Sequence, residues 1–132
     1  KVHASPPSEL PLEELMTDLQ INVGGALLAA QQVIPSMKEE GGGTILITGG
    51  GLALQPRPEY ASLAAGKAAL RNLTYSLAAE LAEDNIHVAT VTIAGFVQPN
   101  TFFAPHLIAE KYWQLHTQKK DMWETEIVYR EA

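Results

Sequence analysis

Residues 41–51 read GGGTILITGGG, two glycine triplets around the short apolar run Thr44–Thr48. A β-branched run of this length, bounded by glycine turns, marks a strand buried on both faces. Residues 86–95, IHVATVTIAG, repeat the pattern, so Ile86–Ile93 reads as a second buried strand. Between them Leu63, Leu70, Leu73, Leu77 and Leu81 recur at helical spacing, and residues from about Ser62 to Glu83 read as one long helix. Two strands joined through a helix of this kind lie parallel, linked by a right-handed crossover. The expected fold class is therefore α/β and layered.

Upstream, Pro11 suits a first helical position, and Leu12, Leu15, Leu19, Ala26, Ala30 and Val33 carry a helix to residue 34. Asn22, Gly24 and Gly25 interrupt its middle, which close packing against another backbone would offset. Pro35 is expected to kink or end it, with Ser36 to Glu40 closing it. Downstream, residues 96–105 read as a loop, 107–118 as a short helix, and 119–132 as a polar tail with no assigned element. Two parallel strands cannot cover their own edges, so further chain or another subunit must complete the sheet. No internal linker divides residues 1–132, which read as a single domain. Lys1 in place of a starting methionine leads us to expect a longer product upstream.

The net charge of −6 leaves no basic surplus to neutralise phosphates, so neither nucleic acid nor an anionic membrane is expected as a partner. No run approaches the ~20 apolar residues of a membrane span. The chain has no cysteine, which rules out disulfides and thiolate metal sites and fits a reducing cytoplasm. His3, His87, His106 and His116 lack metal-ligand spacing, so no metal site is expected. His87 reads as a surface residue at a strand start.

Ligands of open parallel sheets sit beyond the carboxyl ends of the strands. Both strands here end in special loops, Gly49-Gly50-Gly51 and Ala94-Gly95-Phe96-Val97. If the strands are neighbours, these loops converge, and Asn22 and Lys67 on flanking helices can point into the crevice. The 49–51 triplet lacks dinucleotide-binding glycine spacing and a phosphate-loop lysine, so it reads as a close backbone approach. Phe102, Phe103, Tyr112 and Trp113 read equally as the lining of an apolar substrate pocket or as packing of the short helix.

The set INVGGALLAAQQVIPSM, GGTILITGGG and LAAGKAALRNLTYSLAAELAEDNIHVATVTIAG resembles the C-terminal half of the short-chain dehydrogenases/reductases, over roughly Ser8 to Thr101. The resemblance implies a Rossmann-type doubly wound parallel sheet, of which this chain is the C-terminal portion. It implies NAD or NADP as cofactor, a small carbonyl or alcohol substrate, and a homodimer or homotetramer formed through the two long helices. The family's glycine-rich pyrophosphate turn precedes the matched region, so this chain by itself should bind a dinucleotide poorly.

Carried over by position, the family's helix asparagine matches Asn22 and its ribose-holding lysine matches Lys67. The catalytic tyrosine, four residues before that lysine, falls on Leu63, and the catalytic serine falls on Gly49 or Gly50. Gly95, Phe96 and Val97 match the turn that covers the nicotinamide, and Thr101 is the nearest equivalent of the threonine that follows it. A tyrosine acts as a proton donor near neutral pH only beside a cation that stabilises its anion. Tyr60, seven residues before Lys67, is the candidate displaced acid. The resemblance thus implies an atypical oxidoreductase, or alternatively a catalytically silent member that serves as a nucleotide-binding or dimerising scaffold.

Overall fold

The computed structural model describes residues 4–132; His3 lies outside the described residues. Strands β1 (Gly43–Gly50), β2 (Ile86–Ile93) and β3 (Glu126–Tyr129) form one sheet in the order β1-β2-β3. Both pairings are parallel, with Gly43 opposite Ile86, Gly50 opposite Ile93, and Thr90 opposite Glu126. The helices are α1 (Leu12–Leu19), α2 (Gly25–Glu40), α3 (Ala61–Leu81) and α4 (Pro105–His116).

The central strand β2 explains why the sequence is apolar there without alternation. Ile86 and Val88 pack with Ala30, Leu77 and Leu81 on the α2/α3 face. Ala89 and Val91 pack with Ile108, Leu115 and Tyr129 on the α4 face. A strand covered on both faces has no polar face to display. The crossover through α3 is thus held from both ends of its own hydrophobic stripe, and β1 and β2 are fixed side by side.

Three expectations change. The first helix is divided: a π-helical turn, Gln20–Gly24, separates α1 from α2, and Asn22 sits within it. Pro35 lies inside α2, which continues to Glu40 and stops at Gly41, left-handed at φ 84°. The polar tail contains a 3-10 turn, Lys120–Met122, and the third strand. Ile127-Val128-Tyr129 is the strand signal in that tail, too short to stand out from its charged neighbours.

His87 is buried rather than exposed. Its ring stacks on Trp123 at 4.6 Å between centroids, and its Nε2–H donates to the Glu124 carbonyl at 2.7 Å. The Nδ1 atom is then a buried acceptor with no partner among the described residues. The tail, to which the sequence assigns no element, is what covers it.

β3 is tied down by a carboxylate. Glu126 accepts Arg71 Nε at 2.8 Å and Nη2 at 2.7 Å, Thr92 Oγ1 at 2.5 Å and Tyr75 Oη at 3.0 Å. Its side chain is 7% exposed. The Arg71 bonds, assisted by Thr92 and Tyr75, hold the carboxyl at about 2 against an opposing desolvation effect. One residue of the last strand thereby joins α3, β2 and β3. Because the pKa is depressed on folding, this contribution is present above the ordinary carboxylate value of 4.5 and is lost as pH falls toward about 2. Glu126→Gln is expected to lower unfolding free energy by about 2 kcal/mol at neutral pH in a urea titration. The gap to the wild type should close through that acid interval; a pH-independent gap would contradict the assignment.

Candidate active site

The site forms where β1 and β2 end together. Beyond the Gly50–Ile93 pair, a Cβ placed on Gly51 would lie 2.9 Å from Ala94 Cα. The two glycine-bearing loops therefore touch, as the parallel register requires. Gly95 continues the close packing: a Cβ there would enter the Phe103 ring, 2.3 Å from its nearest atom. Phe103 in turn meets Tyr129 edge-on, and Tyr129 stacks on Phe102 and donates its hydroxyl to the Phe102 carbonyl at 2.5 Å. An aromatic clamp from β3 thus fixes the loop after β2.

Lys67 reaches this point from the second turn of α3. A Cβ on Gly50 would stand 3.5 Å from Lys67 Cε, an ordinary van der Waals distance. The lysine is half-buried, and among the described residues its ammonium has no hydrogen bond or ion pair. Desolvation pushes its pKa down from 10.5. Asn22 approaches from the π-helical turn, whose side chain lies 3.8 Å from a Cβ built on Gly66, next to Lys67. The buried Ser62–Asp18 hydrogen bond, 2.5 Å, clamps α1 onto α3 one turn away. A π-helical turn inserts one residue into the helix and re-aims its neighbours, a recurrent feature of functional sites.

The two glycines that could stand for the serine are now distinguishable. A Cβ on Gly49 would meet Thr90 Oγ1 at 2.9 Å and Thr92 Oγ1 at 3.0 Å, so that position is filled by β2. Gly50 is the one that faces Lys67. Leu63, half-buried and one turn before Lys67, occupies the other expected hydroxyl position. Tyr60 is the residue preceding α3, half-buried and backbone-bridged to Ser5. Seven residues separate it from Lys67, roughly 10 Å along a helix axis.

The remaining candidates divide. Phe96, 85% exposed, and Val97 lie at the open side of the Gly95 loop. Thr101 Oγ1 donates to the Gln98 carbonyl at 2.7 Å and accepts the Phe103 N–H at 3.1 Å, so it shapes the turn that brings Phe103 onto Gly95. Phe102 and Phe103 are therefore packing residues. Trp113 is exposed, and Tyr112 shares a 2.7 Å hydrogen bond with Thr48. His116 Nδ1 meets Thr44 Oγ1 at 3.0 Å, while His106 is exposed near the start of α4. The Thr48–Tyr112 pair and the Tyr129 clamp escaped sequence reasoning, because nothing local links residues 64 or 27 apart.

The short chain dehydrogenase family model matches residues 2–104. The chain belongs to that family. Dehydrogenase/reductase SDR family member 4 from Bos taurus is 38% identical over 80 residues, 61% of this chain and 29% of the relative. A short-chain dehydrogenase structure from Rhodopseudomonas palustris superposes with a TM-score of 0.82 at 28% identity, covering all of this chain and 60% of that one. A 4-hydroxyisoleucine dehydrogenase solved with NADH and succinate superposes at TM-score 0.82 and 20% identity, which shows the shared fold. The chain thus spans less than two thirds of the length of these short-chain dehydrogenases.

The glycine geometry is directly testable. Gly49→Ala is expected to cost about 1–3 kcal/mol, because its methyl overlaps the β2 threonines. Gly50→Ala, whose methyl only touches the Lys67 stem, should stay within about 0.5 kcal/mol. Equal losses in thermal melts would contradict the assignment of Gly50 to the cleft.

Proposed function

We propose that residues 1–132 form the C-terminal half of a Rossmann-type domain and supply the nicotinamide-facing side of an NAD- or NADP-dependent oxidoreductase acting on a small carbonyl or alcohol. The observation that carries this reading is the position of Lys67: a half-buried ammonium, without a partner among the described residues, whose stem lies against Gly50 beside the touching loops of β1 and β2. Such a group is suited to two vicinal ribose hydroxyls, which can accept its N–H donors without a counter-charge. Gly95, Phe96 and Val97 follow β2 in the loop that touches Gly51, with Phe96 exposed and free to cover an aromatic ring. Thr101 supports that loop through its turn. The cofactor, when bound, supplies or accepts hydride; the chain's part is to orient it and to manage the proton. The dehydrogenase solved with NADH supports nicotinamide as the class and leaves NAD against NADP open. Absence of cysteine fits work in the cytoplasm, and among the described residues no helix is long and apolar enough to cross a membrane.

A second reading rests on Leu63 and Gly50. Neither can hydrogen-bond a carbonyl through a side chain, which favours a silent, ligand-binding or scaffolding member. The two readings differ in turnover. Reduced nicotinamide mononucleotide is the suitable probe, because the cleft residues named here address only the nicotinamide riboside. Under the oxidoreductase reading the protein consumes it in the presence of a panel of aldehydes and ketones. Binding without consumption supports the silent reading. The double variant Gly50→Ser, Leu63→Tyr restores both hydroxyl positions and should raise the rate on the order of 100-fold, the usual contribution of a positioned general acid. Tyr60→Phe tests the displaced tyrosine, and an unchanged rate removes it.

We also propose that the two long helices carry a homodimer or homotetramer contact. Met16, Leu19, Val23 and Ala69 line an apolar groove between α1 and α3. Leu12, Ile21 and Leu28 are exposed along the same helices, and nothing lies within 4 Å of a Cβ built on Gly25. Met16→Glu is expected to shift the protein toward monomer in light scattering; an unchanged mass would exclude this surface.

A further inference from the structure

This inference rests on the oxidoreductase reading and concerns where its proton comes from. Reduction of a carbonyl needs an acid at the oxygen. Among the candidates at the mouth of the cleft, Gly50 and Leu63 have none to offer, and Asn22 does not titrate. Tyr60 stands two helical turns away, before the helix begins. Tyr112 is paired with Thr48 at 2.7 Å, whereas Lys67 combines a dissociable proton, unpaired among the described residues, with a position over Gly50.

We propose that Lys67 is itself the acid of this site. As hydride from a dihydronicotinamide reaches the carbonyl carbon, the π electrons move to oxygen and a proton passes from Lys67 Nζ to that oxygen. The N–H bond breaks, the O–H bond forms, and the neutral amine regains a proton from water. The alcohol direction is the reverse, with the neutral amine as base.

Three features make the geometry suitable. Gly50 and Leu63 leave the ammonium no hydroxyl neighbour, so no tyrosine or serine stands between it and a substrate oxygen. Among the described residues no carboxylate pairs with the ammonium: Arg71, the next cation along α3, takes Glu126 for itself through two bonds. Gly50, which the Lys67 stem touches, and Asn22, which lies against the neighbouring Gly66, are uncharged. Burial is the cause acting on the ammonium, and it moves the amine toward the range where it exchanges protons in neutral water. In this chain a residue that resemblance assigns to gripping the ribose thus takes on a second task, because the tyrosine it would ordinarily assist is missing.

The test separates charge from proton. Arginine keeps the positive charge and the hydrogen-bond donors but cannot release a proton near neutral pH. Lys67→Arg is expected to bind reduced nicotinamide mononucleotide within about threefold of the wild type by fluorescence, yet to lose carbonyl reduction by 100-fold or more. Independently of activity, carbon-13 methyl labelling of the lysines should show one resonance, absent in Lys67→Arg, titrating below the other lysines. Retained turnover in Lys67→Arg overturns the proposal, and so does a Lys67 resonance that titrates with the rest. A wild type that neither binds nor consumes the mononucleotide, with the low-titrating resonance present, instead sinks the oxidoreductase reading on which the proposal stands.

Discussion

The contact between the ends of β1 and β2 is the constraint on which everything else depends. Parallel pairing brings Gly50 level with Ile93 and forces Gly51 against Ala94. Only residues with little or no side chain allow that approach, and this is why Gly51 meets an alanine, Ala94, there. The same pairing sets where α3 must start, since the crossover has to return the chain to β2. Lys67 falls over Gly50 because α3 begins at Ala61 and packs its apolar stripe on the sheet.

Two side interactions hold the arrangement from outside. Glu126 gathers Arg71, Tyr75 and Thr92, so that β3 and α3 are locked to β2 by a single carboxylate. Tyr129, three residues on, anchors Phe102 and Phe103, and Phe103 caps Gly95. The C-terminal strand therefore governs the shape of a loop far from it in sequence. Thr92 links the two systems: its hydroxyl serves Glu126 and at the same time fills the space beside Gly49.

Much of this was legible in the sequence, for definable reasons. The two strands announce themselves because β-branched runs between glycines fit few other conformations, and the leucine period of α3 fixes the crossover and hence the parallel sense; only β2 is buried, since β1 lies at the edge of the described sheet and is half-exposed. Convergence of the two loops and the presence of Lys67 follow from that topology. The π-helical turn was visible only as an irregularity around Asn22. β3 was missed because its stability comes from Glu126 and from pairing with β2, neither of which leaves a local pattern. His87 was misplaced for the same reason: what buries it is Trp123, from the tail. The choice between Gly49 and Gly50 needed the facing strand, since the threonines that exclude one of them lie on β2.

What results is a three-stranded parallel part of the family's α/β scaffold, with Gly50 beside the Lys67 stem and Leu63 one helical turn before it. At the strand ends Gly51 meets Ala94, and one half-buried cation, Lys67, lies against Gly50. Its chemistry then depends on what that cation meets. Amide chemical-shift mapping with reduced nicotinamide mononucleotide tests this most directly. The account predicts perturbations confined to residues 49–51 and 94–97 and the first two turns of α3. Perturbations centred elsewhere, with these amides silent, would contradict it.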